Sequence, residues 1–134
     1  MAMTRPRRVL VADGDRIARS VVAWALRRSG YDVVEADDAP AALDYVGDCL
    51  ERATPDPPDV VVADSLQILT SLRDLRPAVQ VFVTAATTDL RMRALAWRLG
   101  AAWVFDKPRD VDRLCATVRT LAPPYSSNSS GLRS

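Results

Sequence analysis

The sequence of 134 residues contains no histidine and only two cysteines, Cys49 and Cys115. Because histidine and a C-x-x-C pair are both missing, a structural zinc site is excluded and the usual general base of triad hydrolases is absent. Both cysteines fall within helical apolar patterns, which is typical of core residues in a reducing compartment. A cytoplasmic location is therefore expected.

The sequence also lacks an excess of charge of one sign, and it lacks long hydrophobic runs. The net charge is +1, whereas a dedicated nucleic-acid or membrane-surface protein carries a large basic excess. No apolar run approaches the length of a membrane span, and no signal peptide is visible. We therefore expect neither direct nucleic-acid binding nor membrane association. Since 49% of the residues are hydrophobic, the chain has enough apolar side chains for one compact core.

Short apolar runs alternate with segments of helical periodicity along the whole chain. The predicted strands are 9–12, 31–36, 60–63, 79–83 and 102–105. This order predicts an α/β fold, a doubly wound five-stranded parallel sheet with helices on both faces in three layers. We expect one domain over residues 1–122 and a flexible tail over 123–134, because Pro123 and Pro124 end the last helix.

The spacing of apolar residues also predicts which face of each helix is buried. In the first helix the predicted core stripe contains Ile17, Val21, Trp24 and Ala25, and in the fourth it contains Leu90, Ala94 and Trp97. The tryptophans are thus predicted to be core or half-buried residues rather than ligand-stacking groups.

Polar residues stand where the predicted strands end. Asp13 and Asp15 follow the first strand, Asp64 the third, Thr84 the fourth and Lys107 the fifth. Because sites in open parallel sheets form at the carboxyl ends of the strands, we expect these groups to converge on one edge.

This set of groups has a coherent chemistry. Clustered carboxylates repel unless a cation lies between them, and Mg²⁺ prefers oxygen ligands. A threonine and a lysine can contact phosphoryl oxygens, and a carboxylate can itself accept a phosphoryl group. Lys107 is the only lysine among 18 basic residues, so a compact ammonium is used at this one position.

The segments VLVADGD, PDVVVAD, VFVTA and GAAWVFDKP, in this order, resemble the receiver domain of two-component response regulators, a flavodoxin-like fold. The similarity covers Arg7 to Leu121. It implies that Asp64 accepts a phosphoryl group from a histidine kinase, that Asp13 and Asp64 bind magnesium, and that Thr84 and Lys107 contact the phosphoryl group. It also implies that partners read the face made by the fourth helix, fifth strand and fifth helix.

The sequence departs from that family pattern at four places. Gly14 stands where the second metal-binding acid is expected, with Asp15 as a displaced substitute or a surface residue. The loop after Asp64 is short, and Val104 takes the aromatic switch position on the fifth strand. The connection DCLERATPDPPD before the third strand is longer than usual.

The leading hypothesis is a stand-alone receiver-type signalling domain with a degenerate site, which acts through protein–protein interaction and is not an enzyme. One alternative is a phosphorylation-competent, magnesium-dependent response regulator. Another is a haloacid-dehalogenase-type phosphatase with Asp13 as nucleophile and Asp15 as acid/base. We expect a histidine kinase or another signalling protein as partner. We also expect weak homodimerisation near Trp97, Arg98 and Trp103.

Overall fold

A computed structural model describes residues 5–52, 56–86, 88–107 and 110–125. Within these ranges strands and helices alternate. They are β1 (Arg8–Ala12), α1 (Arg16–Arg28), β2 (Asp32–Ala36), α2 (Ala39–Arg52), β3 (Val60–Ala63), α3 (Gln67–Leu75), β4 (Gln80–Ala85), α4 (Leu90–Arg98), β5 (Trp103–Asp106) and α5 (Val111–Leu121). The five strands form one parallel sheet in the order β2-β1-β3-β4-β5. The predicted α/β class and the flavodoxin-like five-stranded parallel sheet are confirmed.

The sheet separates two hydrophobic cores. One core packs α2, α3 and α4 against one face of the sheet, and the other packs α1 and α5 against the opposite face. The four residues of β3 are all buried, because this strand lies in the middle of the sheet and is covered on both sides. The sheet order also brings the carboxyl ends of β1, β3 and β4 side by side, which positions the candidate site.

The predicted buried stripes of α1 and α4 are wrong. Ile17 is 77% exposed and Trp24 is 61% exposed, while α1 buries Val22, Ala23 and Leu26 instead. In α4, Leu90 and Trp97 are exposed and Ala96 is the buried residue. Both helices carry apolar residues around much of their circumference, so periodicity alone yields two possible stripes. Packing against the sheet selects the stripe with the smaller residues.

The two ends of the described chain lie together. Pro6 and Tyr125 form an isolated β-bridge, and the Arg7 guanidinium donates to the Pro123 carbonyl over 2.8 Å. The Tyr31 hydroxyl donates to the Ala122 carbonyl over 2.6 Å. Residues 123–125 of the expected tail therefore pack on the domain, while 126–134 lie outside the described residues. Over the described ranges, no helix is long and apolar enough to cross a membrane.

Candidate functional site

Asp13 is the most deeply placed acid of the site, immediately after β1. It is 3% exposed, and Asp13 and Thr84 are the buried polar residues of the described chain. One carboxylate oxygen, Oδ2, lies 2.6 Å from the Lys107 ammonium, and the other, Oδ1, accepts from the Asp15 backbone N–H over 2.8 Å. Since a buried carboxylate needs compensation, the ion pair with Lys107 accounts for this burial.

The glycine after Asp13 contacts the Asp64 side chain through its backbone. The Gly14 N–H donates to Asp64 Oδ2 over 3.2 Å. A Cβ atom built on Gly14 would meet only the Asp37 carbonyl oxygen, at an ordinary contact distance of 3.7 Å. The backbone therefore leaves room for a side chain at position 14, where the receiver resemblance predicts an acid.

Asp15 serves the first helix. It is the N-cap of α1, and its Oδ1 accepts from the backbone N–H groups of Ile17 and Ala18 at 3.0 and 3.2 Å. Capping groups of this kind satisfy backbone donors that have no partner within the helix. The carboxylate is thus engaged away from the contacts that join Asp13, Asp64 and Lys107.

Asp64 follows β3 and is partly open to solvent. Its side chain is 30% exposed, and its Oδ2 lies 3.9 Å from the Lys107 ammonium. Its backbone N–H donates to the Ala12 carbonyl over 3.2 Å, which aligns the ends of β3 and β1. Only Asp64, Ser65 and Leu66 separate β3 from α3, so the short loop predicted from the sequence is present.

Lys107 and Thr84 complete the edge. The Lys107 backbone N–H donates to the Ala85 carbonyl over 2.7 Å, which extends the β4–β5 pairing by one step. Thr84 is 4% exposed and shares with Lys107 a cavity of about 10 Å³, enough for about one water molecule. The structure therefore brings Asp13, Asp64, Thr84 and Lys107 to one sheet edge, as the sequence predicts, whereas Pro108 of the K-P motif lies outside the described residues.

The side chains of β5 alternate between the two cores. Val104 belongs to the core on the α4 side, while Phe105 belongs to the core on the α5 side and stacks on Phe82 at 6.4 Å between ring centroids. Trp103 lines a surface groove with α5 residues. The aliphatic Val104 therefore occupies the α4 side, and the neighbouring aromatic rings lie on the other side of the sheet, as predicted.

Sequence reasoning missed Arg19. Its guanidinium donates to the Asp13 carbonyl over 2.8 Å and forms ion pairs with Glu35 and Asp37, both at 3.3 Å. This places a positive charge behind the loop that carries Asp13 and Gly14. No motif links an arginine in α1 to acids at the end of β2, so only the tertiary structure identifies the contact.

Known proteins match both the sequence and the fold of this chain. A family model described as the response regulator receiver domain matches residues 9–119. The chain belongs to this family. The response regulator MprA of Mycolicibacterium vanbaalenii is 30% identical over 123 residues, which cover 87% of this chain and 50% of that protein. The chain thus spans about half the length of this curated relative.

Solved structures agree with the receiver fold. The receiver domain of the response regulator NarL from Mycobacterium tuberculosis has a TM-score of 0.73 and 26% identity, with 88% of this chain and 97% of that chain covered. A response regulator from Burkholderia pseudomallei, solved with a phosphorylated aspartic acid, a calcium ion and citrate, has a TM-score of 0.69 and 22% identity, with 95% and 71% covered. At 22% identity, the similarity to the Burkholderia protein shows a shared fold and nothing more.

Membership of the receiver family settles the class of the domain. Receiver domains are signalling domains of two-component systems rather than classical enzymes, and they interact with histidine kinases and other signalling proteins. The haloacid-dehalogenase alternative is not supported. In that interpretation Asp13 is a nucleophile and Asp15 an acid/base, but Asp15 caps α1 and the family model that matches the chain is the receiver domain.

Receiver domains use a divalent ion when they are competent, and such an ion requires a set of oxygen ligands at this edge. Among the described residues, no three histidine, cysteine, aspartate or glutamate side chains are grouped as a metal site requires. Both oxygens of Asp13 have partners, and the next residue, Gly14, has no side chain to offer as a ligand. This donor set fits a magnesium ion poorly, because only Asp13 and Asp64 remain and the Lys107 ammonium already lies between them.

Proposed function

We propose that this receiver domain signals through protein–protein contacts without depending on magnesium-assisted phosphorylation of Asp64. The observation that carries the proposal is the 2.6 Å ion pair between Lys107 and Asp13 beside Gly14. One ammonium compensates two carboxylates, Asp13 at 2.6 Å and Asp64 at 3.9 Å. A site whose negative charge is already partly neutralised attracts a divalent ion less strongly, since ligand charge tunes the affinity of such sites.

The position of Asp15 supports this proposal. A carboxylate next to the vacant acid position would be the natural substitute, but that group accepts two hydrogen bonds from the first turn of α1. Moving it to the site would leave these backbone donors without a protein partner, at a cost of about 1 kcal/mol. The sequence therefore offers no inexpensive replacement for the acid that is missing at Gly14.

The proposal is tested by restoring the acid. In Gly14→Asp the new side chain has room, and we expect it to raise magnesium affinity and to permit modification by acetyl phosphate. Gly14→Asn is the matched control, because it adds the same volume without charge. Isothermal titration measures magnesium binding, and intact mass measures the phosphoryl adduct. We expect no stoichiometric adduct on the natural chain or on the asparagine variant.

A competent receiver is the second candidate, and the exposure of Asp64 favours it. A carboxylate that is 30% exposed at the open edge of the sheet is accessible to a phosphodonor. Lys107 lies 3.9 Å from it, and Asp13 and Thr84 lie at the ends of the neighbouring strands, at the same sheet edge. A stoichiometric, magnesium-dependent adduct on the natural chain that disappears in Asp64→Ala would establish this function and overturn the first proposal.

The partner surface that we propose is the face of α4, β5 and α5. Leu90 is 86% exposed, Trp97 is 68% exposed and Trp103 is 44% exposed, so this face presents several large apolar side chains to solvent. Apolar surface of this kind marks sites of protein association. A histidine kinase or another signalling protein is the expected partner, and a second copy of the chain is expected to bind weakly at the same place.

Self-association can be assigned to a face with a pair of tryptophan variants. Trp97 lies on α4, whereas Trp24 is 61% exposed on α1, on the opposite side of the sheet. Sedimentation at high micromolar concentration should show weak association of the natural chain. Trp97→Ala should abolish it and Trp24→Ala should preserve it. A purely monomeric natural chain, or loss of association only in Trp24→Ala, would refute the proposed face.

A further inference from the structure

The fourth helix is held to the sheet by unusually little apolar packing. It buries one residue, Ala96, whereas α1, α2, α3 and α5 bury three each. Met92 and Leu99 are only partly buried against the core. Because apolar burial is the main stabilising contribution to a helix in a folded domain, other contacts must contribute to the placement of α4.

A chain of polar contacts joins the start of α4 to the end of β5. The Thr88 hydroxyl donates to Asp106 Oδ1 over 2.7 Å and accepts from the Arg93 guanidinium over 2.8 Å. The same guanidinium donates to the Val104 carbonyl over 3.3 Å. One arginine of α4 therefore reaches β5 twice, directly and through Thr88. We refer to Thr88, Arg93 and Asp106 as the α4 clasp.

We infer that the α4 clasp is a conformational device that sets the position of α4 relative to the site. Asp106 pairs with Ala85 across β4 and β5 and directly precedes Lys107, whose backbone N–H binds the Ala85 carbonyl. The clasp and the site ammonium therefore belong to the same strand end. Val104 contributes only an aliphatic side chain to the core that it shares with Ala96, so this polar connection adds a second, directional link between that strand end and α4.

The consequence concerns the apolar surface of α4. Closing the clasp holds the first turns of the helix to β5, while the Leu90 side chain stays exposed to solvent. Opening it releases a helix that has only Ala96 fully buried. A segment with few buried apolar contacts opens locally at low free-energy cost, so a small polar network can control it. The clasp thereby determines how rigidly the α4 surface is presented.

Hydrogen exchange of the full chain, measured by mass spectrometry, tests the inference. Thr88→Val removes both contacts of the hydroxyl at nearly constant volume. We expect exchange in residues 90–98 to accelerate at least about fivefold, the factor that a single hydrogen bond of typical net strength confers. Exchange in residues 111–121 should stay unchanged. Arg91→Ala, an exposed arginine of α4 outside the clasp, is the control and should leave both segments unchanged.

A second variant tests whether the contacts of the α4 clasp act as one connected unit or as two independent contacts. Asp106→Ala removes the acceptor of the Thr88 hydroxyl, so it should accelerate exchange in residues 90–98 to a similar extent. In the double variant with Thr88→Val, exchange should be no faster than in the faster single variant, because both changes break the same connection. The inference is overturned if Thr88→Val behaves like Arg91→Ala, if all helices accelerate equally, or if the two effects multiply.

Discussion

The carboxyl and amino edges of the sheet have opposite ratios of cations to carboxylates. At the carboxyl edge, two carboxylates share one ammonium, with Asp13 at 2.6 Å and Asp64 at 3.9 Å from Lys107. At the amino edge, one carboxylate is shared by two guanidinium groups. Asp59 binds Arg76 at 2.7 Å and Arg7 at 3.4 Å.

The two edges differ in the kind of cation as well as in the ratio of opposite charges. A lysine ammonium is a compact charge on a flexible stem, whereas the planar guanidinium is rigid and fixes its partners in bidentate or forked geometry. Around Asp59, two guanidinium groups face one carboxylate. Around Lys107, two carboxylates face one ammonium. The flexible lysine suits the signalling site that we propose at the carboxyl edge, and the planar guanidinium groups suit a structural role at the amino edge.

The largest effect is expected at the carboxyl edge, from Lys107→Met. Asp13 would remain buried with only the Asp15 N–H as a partner, and the free energy of unfolding should fall by about 3 kcal/mol. Urea denaturation measures the change. Lys107→Met combined with Asp13→Asn should recover much of the loss, because no buried charge is then left unpaired. A loss below about 0.5 kcal/mol in the single variant would show that the ion pair does not compensate Asp13.

A smaller effect is expected at the amino edge, from Asp59→Ala. The variant loses both guanidinium contacts, and since Asp59 is 42% exposed we expect a loss of about 1–2 kcal/mol. Of the two arginines, Arg76 should contribute more to this loss. Its Nε atom is already buried without a hydrogen-bond partner in the described residues, and the variant would also remove its contact with Asp59. High salt should reduce the effect of Asp59→Ala more than that of Lys107→Met, since exposed pairs are screened more strongly.

The contrast between the edges also shows how far the sequence could predict this molecule. The strands, the helices and the residues of the carboxyl edge follow from periodicity and from the rule that polar groups at strand ends converge. Asp13, Asp64, Thr84 and Lys107 could therefore be assigned to one edge from the order of the residues alone. The short loop after Asp64 could also be predicted, because helical pattern begins almost directly after the acid.

The remaining features depend on tertiary contacts that leave little signal in the chain. Apolar residues nearly surround α1, so the choice of Val22 over Val21 as a core residue depends on how the helix lies on the sheet. Arg19 and the α4 clasp join residues that no motif relates. Arg76 reaches Asp59 across 17 positions, and arginines are too frequent in this chain for any one of them to stand out.

The amino edge can be examined further through the ionisation of Tyr31, which precedes β2. Burial raises the pKa of Tyr31 to about 12, against 10 for an exposed tyrosine, and its hydroxyl donates to the Ala122 carbonyl. The neutral form is therefore favoured in the folded state. The stabilisation is complete below pH 10 and is lost as the pH rises from 10 towards 12, because the unfolded chain ionises first.

The comparison with Tyr31→Phe isolates this contribution. The phenylalanine variant cannot ionise, so the difference in unfolding free energy between the natural chain and the variant should shrink by about 1 kcal/mol between pH 10 and pH 11. Chemical denaturation at each pH provides the measurement, and other groups that titrate there cancel in the difference. A difference that stays constant over this range would mean that Tyr31 ionises equally well in the folded chain.

The smallest effect is expected from substitutions of Asp15, and it tests whether this residue belongs to the site at the carboxyl edge. If Asp15 belongs to the helix and not to the site, Asp15→Ala should lower the free energy of unfolding by about 0.5–1 kcal/mol, whereas Asp15→Asn, which can still cap α1, should change it by only a few tenths. Neither variant should alter magnesium binding in the Gly14→Asp background. A loss of magnesium affinity in Gly14→Asp/Asp15→Asn, with the helix still capped, would instead place Asp15 among the metal ligands. Three carboxylates of the natural chain, rather than the two around Lys107, would then belong to the site at this edge.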